Sequence, residues 1–266
     1  MSVYPVVRVC HGRHIDWRLA RSTQGVAMTT HLRGGVRLSG VSKTYGEAAA
    51  AVHALREVAL DIDVGAFVAI LGPSGSGKTT LLNVIGGIES ADCGTIMVAG
   101  QDISGRRPRD LDGFRRVHVG FVFQFFNLIP TLTAYENVQL VIELTGRGER
   151  RSVPDLLAAV GLSDRAAHFP SQLSGGEQQR VSIARALATD PDLVLADEPA
   201  GALDVATGGR VLELLQRTSR AGRGVIMVTH NEAAAGIADH VIRMRDGAIA
   251  SAEPNAAPAD AATMQW

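Results

Sequence analysis

The 266-residue sequence has little cysteine, almost no net charge and no long basic run. Its two cysteines, Cys10 and Cys93, match neither a disulfide framework nor the spacing of a metal-ligand cluster. A formal net charge of -1 gives the chain no general attraction to nucleic acid or to anionic lipid. These absences argue against a disulfide scaffold, a cysteine-based metal site and a polyanion-binding surface, so we expect no nucleic-acid partner.

No uninterrupted apolar segment of membrane-spanning length is present either. The longest segment without formal charge, residues 117–135, approaches that length but contains His118, Gln124, Asn127 and Pro130. The first residues contain arginines without an apolar run long enough for a secretory signal. The sequence therefore predicts neither a transmembrane helix nor an export signal.

The two ends of the chain differ in composition from the rest. Residues 1–27 share no periodicity with the remainder of the chain, and Met28 stands just before the first strand-like pattern. We expect a disordered extension there, or a start codon assigned too early. Residues 251–266 are rich in alanine and proline and are predicted to form a disordered tail.

Two kinds of strand pattern and one helical region predict an α/β fold. Residues 36–42 and 58–63 alternate between polar and apolar, which is typical of an antiparallel sheet. Four segments are near-continuous apolar runs, as in parallel strands buried on both faces: 67–71, 120–124, 193–197 and 225–230. Between residues 126 and 190 the apolar spacing is three to four residues, which predicts a helical insertion subdomain.

The segment GPSGSGKT, residues 72–79, lies between a predicted strand and a predicted helix, which is the context of a P-loop. Glycines in this segment let backbone amides converge on phosphate oxygens. Lys78 brings a charge to the β- and γ-phosphates, and the Thr79 hydroxyl can ligate Mg²⁺. We predict a P-loop NTPase core with a mostly parallel sheet and an antiparallel β subdomain. The predicted phosphate-binding residues are Gly72, Pro73, Ser74, Gly75, Ser76, Gly77, Lys78, Thr79 and Thr80.

Polar side chains end three other predicted strands. Asp197 is predicted to hold the Mg²⁺ shell, and Glu198 is predicted to polarise the attacking water as a catalytic residue. Gln124 can contact both the metal and the water, and His230 can bond a γ-phosphate oxygen, because ligands in α/β sheets bind at the carboxyl ends of strands. The alternative for each is a solvated or capping residue at a strand end.

A second helix start, LSGGEQQR at residues 173–180, also has the features of an anion site. Ser174 and Glu177 have the spacing of a capping box. Gly175 and Gly176 leave backbone N–H groups bare at the positive end of the helix dipole. The chain therefore contains two predicted phosphate-binding elements about a hundred residues apart.

The order of these motifs, with ALD at residues 202–204, resembles the ATP-binding-cassette ATPases over residues 36–250, with a helical subdomain at about 126–190. The resemblance implies an ATPase that uses ATP and Mg²⁺ and forms a head-to-tail homodimer. In that dimer, Ser174, Gly175 and Gly176 of one chain cap the ATP bound to the partner's P-loop, and Asp204 lies at the interface. Tyr45 matches the aromatic residue that stacks on adenine; the alternative is a packed strand-end residue.

Four segments are similar to the bacterial subgroup of macrolide-export and lipoprotein-release ATPases: SKTYG, GGIESADCGTI, residues 121–138 and FPSQLSGGEQQR. Ala200 departs from the threonine common in that subgroup. The resemblance implies a membrane permease on a separate chain and a cytoplasmic position, peripheral on the inner face of the cell membrane. It also implies an exporter or extractor of the macrolide or lipoprotein type.

The residues after Gln124 are where the family places a groove for a short helix of the permease, and plain core is the alternative for them. They are Phe125, Phe126, Leu128 and Ile129. Phe121 and Phe123 are predicted to be sheet core.

Two other functions fit the motifs less well. A soluble cassette ATPase acting on nucleic acid or ribosomes usually needs a long coiled-coil insertion or two cassettes, and a P-loop kinase or GTPase would have no use for LSGGEQQR.

Overall fold

Two β-sheets organise the chain in the computed structural model, which describes residues 35–47, 50–146 and 152–263. The first sheet is antiparallel and has the strand order β2-β1-β4-β5. Its strands are β1 Val36–Tyr45, β2 Val52–Ile62, β4 Cys93–Val98 and β5 Gln101–Asp102. The antiparallel β subdomain is therefore confirmed. The extension expected at residues 1–27 lies outside the described residues.

The second sheet has six strands in the order β10-β9-β3-β8-β7-β6. Five of them run parallel, and β10 pairs antiparallel to β9. The strands are β3 Phe67–Leu71, β6 Val119–Val122, β7 Leu193–Asp197, β8 Gly224–Thr229, β9 His240–Arg245 and β10 Ala248–Pro254. The mostly parallel α/β core predicted from the apolar runs is therefore present.

Helices cover this sheet, and several begin at side-chain caps. Thr133 and Glu136 form a capping box at α3, and Asp204 caps α6. The helices are α1 Lys78–Ile85, α2 Asp112–His118, α3 Ala134–Thr145, α4 Val153–Ala159, α5 Gly175–Leu187, α6 Val205–Arg220 and α7 Glu232–Ala235. Helices α3 to α5 lie within the stretch predicted to be helical. Among the described helices, none is long and apolar enough to cross a membrane.

Strand β3 shows why the apolar runs are continuous. Phe67, Ala69 and Leu71 pack into a cluster with residues of α3 to α6, whereas Val68 and Ile70 pack against α1 and the antiparallel sheet. Each full burial of such a large apolar side chain stabilises the fold by about 1.5–3 kcal/mol. With both faces covered, ligands can approach this sheet only at its edges and at the ends of its strands.

Strand β6 and Cys93 differ from the sequence-based predictions. β6 ends at Val122 instead of Gln124, so Phe123 and Gln124 lie in the connection after the strand. Cys93, at the start of β4, is disulfide-bonded in this structure, whereas the sequence predicted no disulfide framework.

The C-terminal segment packs on the domain, so the prediction of a disordered tail over residues 251–266 is wrong for residues 251–263. Strand β10 extends to Pro254, and Asn255 Nδ2 donates to the carbonyls of Gly236 at 2.9 Å and Ala238 at 3.0 Å. Ala261 is 4% exposed. The alanine-rich composition misled the prediction because small side chains need few neighbours to be buried.

Gln216 on α6 anchors this segment. Its side-chain amide donates to Ala259 O at 2.8 Å and accepts from Ala261 N at 3.2 Å, and the residue is 5% exposed. Truncation after Pro254 should lower the melting temperature by roughly 5 °C, because it removes two hydrogen bonds of Gln216, each worth a net of about 0.5–1.5 kcal/mol, and each kcal/mol shifts a domain of this size by about 2–4 °C.

Calorimetry checks this prediction. Gln216→Ala should produce part of the same decrease, and the two changes together should produce less than their sum, because they remove the same contacts. An unchanged melting temperature after truncation would show that the segment contributes nothing to stability.

Candidate nucleotide-binding site

The P-loop connects β3 to α1 and is shaped by close backbone packing. Gly75 and Gly77 have φ values of +78° and +95°, a region that favours glycine. A Cβ atom at Gly77 would lie 2.2 Å from Ala54 O, and one at Gly72 would lie 2.4 Å from Met244 O. The loop therefore has no room for side chains at Gly72 and Gly77, and its curvature is set by β2 and β9.

Lys78 places its ammonium group inside this loop. Its Nζ donates to Gly72 O at 2.7 Å and to Pro73 O at 2.9 Å, and the residue is 8% exposed. Burial lowers the pKa of Lys78, while the nearby carboxylates of Glu198 and Asp197 act in the opposite direction. The charge is thus held between the P-loop carbonyls and the two acids.

The loop also offers groups suited to phosphate. The first N–H groups of α1 have no partner within the helix, and they stand at its positive end. The Ser76 hydroxyl is buried and has no hydrogen-bond partner among the described residues. Ser74 is exposed and Thr80 is half-buried beside these groups. These features together fit a polyphosphate: glycines with no space for Cβ atoms, backbone N–H groups at a helix start, and the buried ammonium group of Lys78.

Thr79 and Asp197 come together although 118 residues separate them, since Thr79 Oγ1 donates to Asp197 Oδ2 at 3.1 Å. Burial raises the pKa of Asp197, and the Thr79 hydrogen bond partly offsets this effect. A hydroxyl and a carboxylate are oxygen ligands of the kind Mg²⁺ prefers when phosphate and water complete its shell. The described residues contain no group of three or more His, Cys, Asp or Glu suited to a metal.

Gln124 does not join this pair in the structure. It lies exposed in the bend after β6, and in the described ranges its side chain makes no hydrogen bond to Thr79 or Asp197. Its role as a ligand of metal and water stays a prediction. The early end of β6 accounts for the difference, because the side chain belongs to an irregular connection instead of the last residue of a strand.

Glu198 is held in a strained backbone conformation beside His230. Its φ is +45°, and its N–H donates to Val228 O at 2.9 Å, one residue beyond the end of β7. Such a conformation costs about 1–3 kcal/mol for a residue other than glycine. The carboxylate accepts from His230 Nδ1 at 2.7 Å and from Thr229 Oγ1 at 3.2 Å. The predicted catalytic acid and histidine are therefore neighbours.

Glu198 and His230 differ in exposure. The Glu198 side chain is 16% exposed, whereas His230 is 70% exposed, so the histidine forms the open side of the site. Because Nδ1 donates to Glu198, the predicted contact of Nε2 with a γ-phosphate oxygen requires the imidazolium form, in which both ring nitrogens donate. Thr229 is a contact of Glu198 that the motifs did not predict, although its position directly before His230 at the end of β8 is a signal in the sequence.

Tyr45 lies at the side of the P-loop. Its hydroxyl donates to Glu89, and Thr80 Oγ1 lies 3.4 Å from the same hydroxyl oxygen. The ring is 39% exposed, and Lys43 Nζ lies 5.5 Å from its centroid. Burial, followed by the Glu89 hydrogen bond, raises the pKa of Tyr45. An exposed aromatic face beside the phosphate loop is suited to stacking on a nucleotide base. No sequence motif predicted the contact of Glu89 with Tyr45.

Ser174 begins α5 with a complete capping box. Its side chain accepts from Glu177 N at 3.3 Å, and Glu177 Oε2 accepts from Ser174 N at 2.8 Å. Arg165 also donates to Glu177 at 3.0 Å. The backbone hydrogen bond from Ser174 is the largest cause of the lowered pKa of Glu177. The helix start predicted from LSGGEQQR is therefore present, with Ser174 exposed.

The ALD segment lies against this helix start. A Cβ atom at Gly176 would lie 1.8 Å from Thr207 Cγ2, and one at Gly175 would lie 3.5 Å from Leu203 Cδ2. Asp204 caps α6 by accepting from Thr207 N at 3.1 Å, and this capping contact lowers the pKa of Asp204. In the part of the chain that the structure describes, no hydrogen bond joins residues 174–176 to residues 72–79. Within one chain, the P-loop and the start of α5 are therefore not joined by hydrogen bonds.

A cavity of about 410 Å³ lies between β6, α3 and the C-terminal half of α5. Its walls are mainly apolar and include Ile129 and Leu144, which are 38% and 63% exposed. Phe121 and Phe123 also line it, with ring centroids 5.6 Å apart, so the prediction that both are sheet core holds only in part. Three arginines lie at its edges: Arg115, Arg116 and Arg185.

The four apolar residues that follow Gln124 lie in different places: at the surface, in the groove formed by this cavity, and in the core. Ile129 lines the groove, and Phe125 is 78% exposed. Leu128 packs against the larger hydrophobic cluster, and Phe126 is half-buried near Gly175. Neither alternative from the sequence describes all four residues.

A P-loop after β3, an acidic pair at the end of β7 and a histidine after β8 define a nucleotide-hydrolysing P-loop ATPase. The family model described as ABC transporter matches residues 55–201. The chain belongs to this family, and it is an ATP-binding-cassette ATPase.

Curated relatives and solved structures agree with this membership. An uncharacterized ABC transporter ATP-binding protein of Mycobacterium tuberculosis is 49% identical over 218 residues, which are 80% of this chain and 88% of the relative. The macrolide export ATP-binding/permease protein MacB of Rhodopseudomonas palustris is 44% identical over 217 residues, which are 80% of this chain but 33% of MacB. A dimeric post-hydrolysis structure of the cassette MJ0796, bound to ADP and Pi, has a TM-score of 0.77 and 40% identity, covering 84% of this chain and 99% of that one.

Proposed function

We propose that this chain is the ATP-hydrolysing subunit of a membrane transporter and acts as a head-to-tail homodimer on a separate permease. The single observation that carries the proposal is the second anion-binding helix start. Ser174 is exposed, fully capped and adjacent to the ALD segment, yet among the described residues it has no hydrogen bond to the P-loop of its own chain. A helix start of this kind can bind phosphate if it contacts the nucleotide that is bound to a second copy of the chain.

In the proposed cycle, the P-loop and Lys78 bind the phosphates of ATP, and Tyr45 supports the adenine. Mg²⁺ would be held by Thr79 and Asp197, with Gln124 brought in on closure, and it would neutralise the charge that develops on the phosphates. Glu198 orients and deprotonates the attacking water, and His230 holds both Glu198 and the γ-phosphate. Loss of the γ-phosphate removes the group that links the two chains, so hydrolysis reopens the dimer.

The dimer proposal is supported by similarity. The solved structures of the cassette MJ0796 are described as dimeric, one of them with ADP and Pi bound. This chain shares 40% identity with that cassette over 84% of its own length. In this chain Gly175 and Gly176 lie against Leu203 and Thr207, so the helix start and the ALD segment would enter one interface together.

The permease proposal rests on the groove and on MacB. MacB carries an ATP-binding and a permease function in one protein, and this chain spans a third of its length. The groove exposes Leu144 and Ile129, and a short amphipathic helix of a permease would cover them. We therefore place the chain at the cytoplasmic face of the cell membrane, with an exporter or extractor of the macrolide or lipoprotein type.

A photo-crosslinking amino acid at Leu144 tests the permease proposal. We expect it to capture an integral membrane protein, and we expect the co-purified complex in liposomes to hydrolyse ATP faster than the isolated chain. The same amino acid at Val64, which is 40% exposed in the turn after β2, is the matched control. Equal capture at both positions, or a captured protein without a membrane span, would contradict the proposal.

A further inference from the structure

Two side chains of helix α5 form hydrogen bonds to the backbone of the segment after β6. Gln179, which is fully buried, donates from Nε2 to Phe123 O at 3.3 Å. The Arg185 guanidinium donates to Phe126 O at 2.9 Å and also bonds Asn127 O. Between these anchored carbonyls lie Gln124 and Phe125, both exposed. The predicted metal and water ligand therefore sits at the tip of a short connection whose two ends are fixed to one helix.

Stability alone does not explain the glutamine at position 179. Its Oε1 is buried and has no partner among the described residues. A buried acceptor without a partner is unfavourable, and an apolar side chain of similar size would remove that penalty. Among the described residues, the Nε2 contact to Phe123 O is the one hydrogen bond of this amide, and it fixes the carbonyl directly before Gln124.

The same helix begins at the segment proposed to cap the partner's ATP. Gln179 is five residues from Ser174, which is about 7.5 Å along a helix axis. Arg185, further along, also lines the groove proposed for the permease. A single rigid helix thus contacts the proposed capping segment, the Gln124 connection and the groove.

We propose that Gln179 is a positioning residue, which fixes Gln124 relative to the start of α5 while Arg185 fixes the other end of the connection. When α5 closes onto a partner's ATP, the carbonyl groups of Phe123 and Phe126 move with the helix. Gln124, which lies between them, then takes a fixed position beside the metal and the water. This inference deepens the proposed function and rests on its assignment of Gln124 to metal and water.

Gln179→Leu in the full chain tests the inference. We expect kcat for Mg²⁺-ATP to decrease about fivefold, the effect of one hydrogen bond, with a higher Mg²⁺ concentration at half-maximal rate. The melting temperature should stay within about 2 °C of the parental value, because the change also removes the unpaired Oε1. Arg185→Lys, which keeps the charge but not the forked contact, should act in the same direction.

Gln216→Leu is the matched control, because Gln216 is also a buried glutamine that donates to two carbonyls, Ile237 O at 3.2 Å and Ala259 O at 2.8 Å. It should lower the melting temperature without changing the Mg²⁺ dependence. A Gln179→Leu variant that behaves like this control, destabilised but with parental kcat and Mg²⁺ dependence, would overturn the inference.

The Gln124→Ala background separates this inference from the proposed function. If Gln179 acts through Gln124, Gln179→Leu should have little further effect on kcat once Gln124 is alanine. The same fivefold decrease in both backgrounds would overturn the positioning role while leaving the role of Gln124 intact. Parental activity of Gln124→Ala alone would overturn the assignment of Gln124, and the positioning role with it.

Discussion

Glu198→Gln should reduce ATP hydrolysis about 10²–10⁴-fold, the contribution of a positioned general base. The amide is nearly the same size as the carboxylate and can still accept from Thr229, but it cannot take a proton from water. The P-loop contacts of Lys78 do not involve the Glu198 side chain directly. ATP affinity should therefore change little, and ATP should persist in the proposed dimer, because the γ-phosphate that links the two chains is not removed.

Phosphate release measures the rate, and gel filtration with ATP measures the dimer. Glu143→Gln is the control, because Glu143 on α3 is exposed and its side chain bonds only Gln139 among the described residues. It should hydrolyse ATP at the parental rate. Hydrolysis at the parental rate by Glu198→Gln would show that Glu198 is not the catalytic residue.

Ser174→Arg should reduce hydrolysis about 100-fold, comparable with the loss of a group that stabilises the transition state. A long cation at the start of α5 obstructs the place where the partner's γ-phosphate would bind. The P-loop of the same chain has no hydrogen bond to Ser174 among the described residues. The monomer should therefore bind ATP with a Kd within about twofold of the parental value, since distant independent sites rarely couple. Calorimetry with the monomer checks this value.

Ser174→Ala separates obstruction from loss of the cap. Loss of an N-cap side chain costs about 1 kcal/mol of helix stability, and both variants lose it. The alanine variant should melt at nearly the same temperature as the arginine variant but keep much more of its activity. Loss of ATP binding by the Ser174→Arg monomer would contradict a role for this helix start in a second chain.

The motifs predicted the site well where a short stretch of sequence also determines its own geometry. GPSGSGKT requires glycine because carbonyls of two other strands lie against it, and LSGGEQQR contains both halves of its capping box. Apolar runs located the parallel strands because their side chains are buried on both faces. These are local properties, or properties of one strand, so the sequence alone reveals them.

Contacts between distant segments were not predictable in the same way. Glu89 meets Tyr45 across 44 residues, and Gln179 meets Phe123 across 56. Composition indicated disorder for the C-terminal segment, but Gln216 and Asn255 supply the polar partners that its backbone needs. A side chain that acts through a remote backbone carbonyl leaves no motif in its own neighbourhood.

Mixing two inactive proteins tests whether each nucleotide site is built from two chains. Lys78→Ala should be inactive because it removes the P-loop ammonium group that binds the β- and γ-phosphates. A dimer of Ser174→Arg with Lys78→Ala contains one intact composite site, made from the P-loop of the first chain and the helix start of the second. An equal mixture should regain roughly a quarter of the parental ATPase rate. Random pairing makes half of all dimers mixed, and each mixed dimer has one working site out of two. Activity of the mixture no greater than the sum of the two separate proteins, or full activity of Ser174→Arg alone, would contradict the two-chain site.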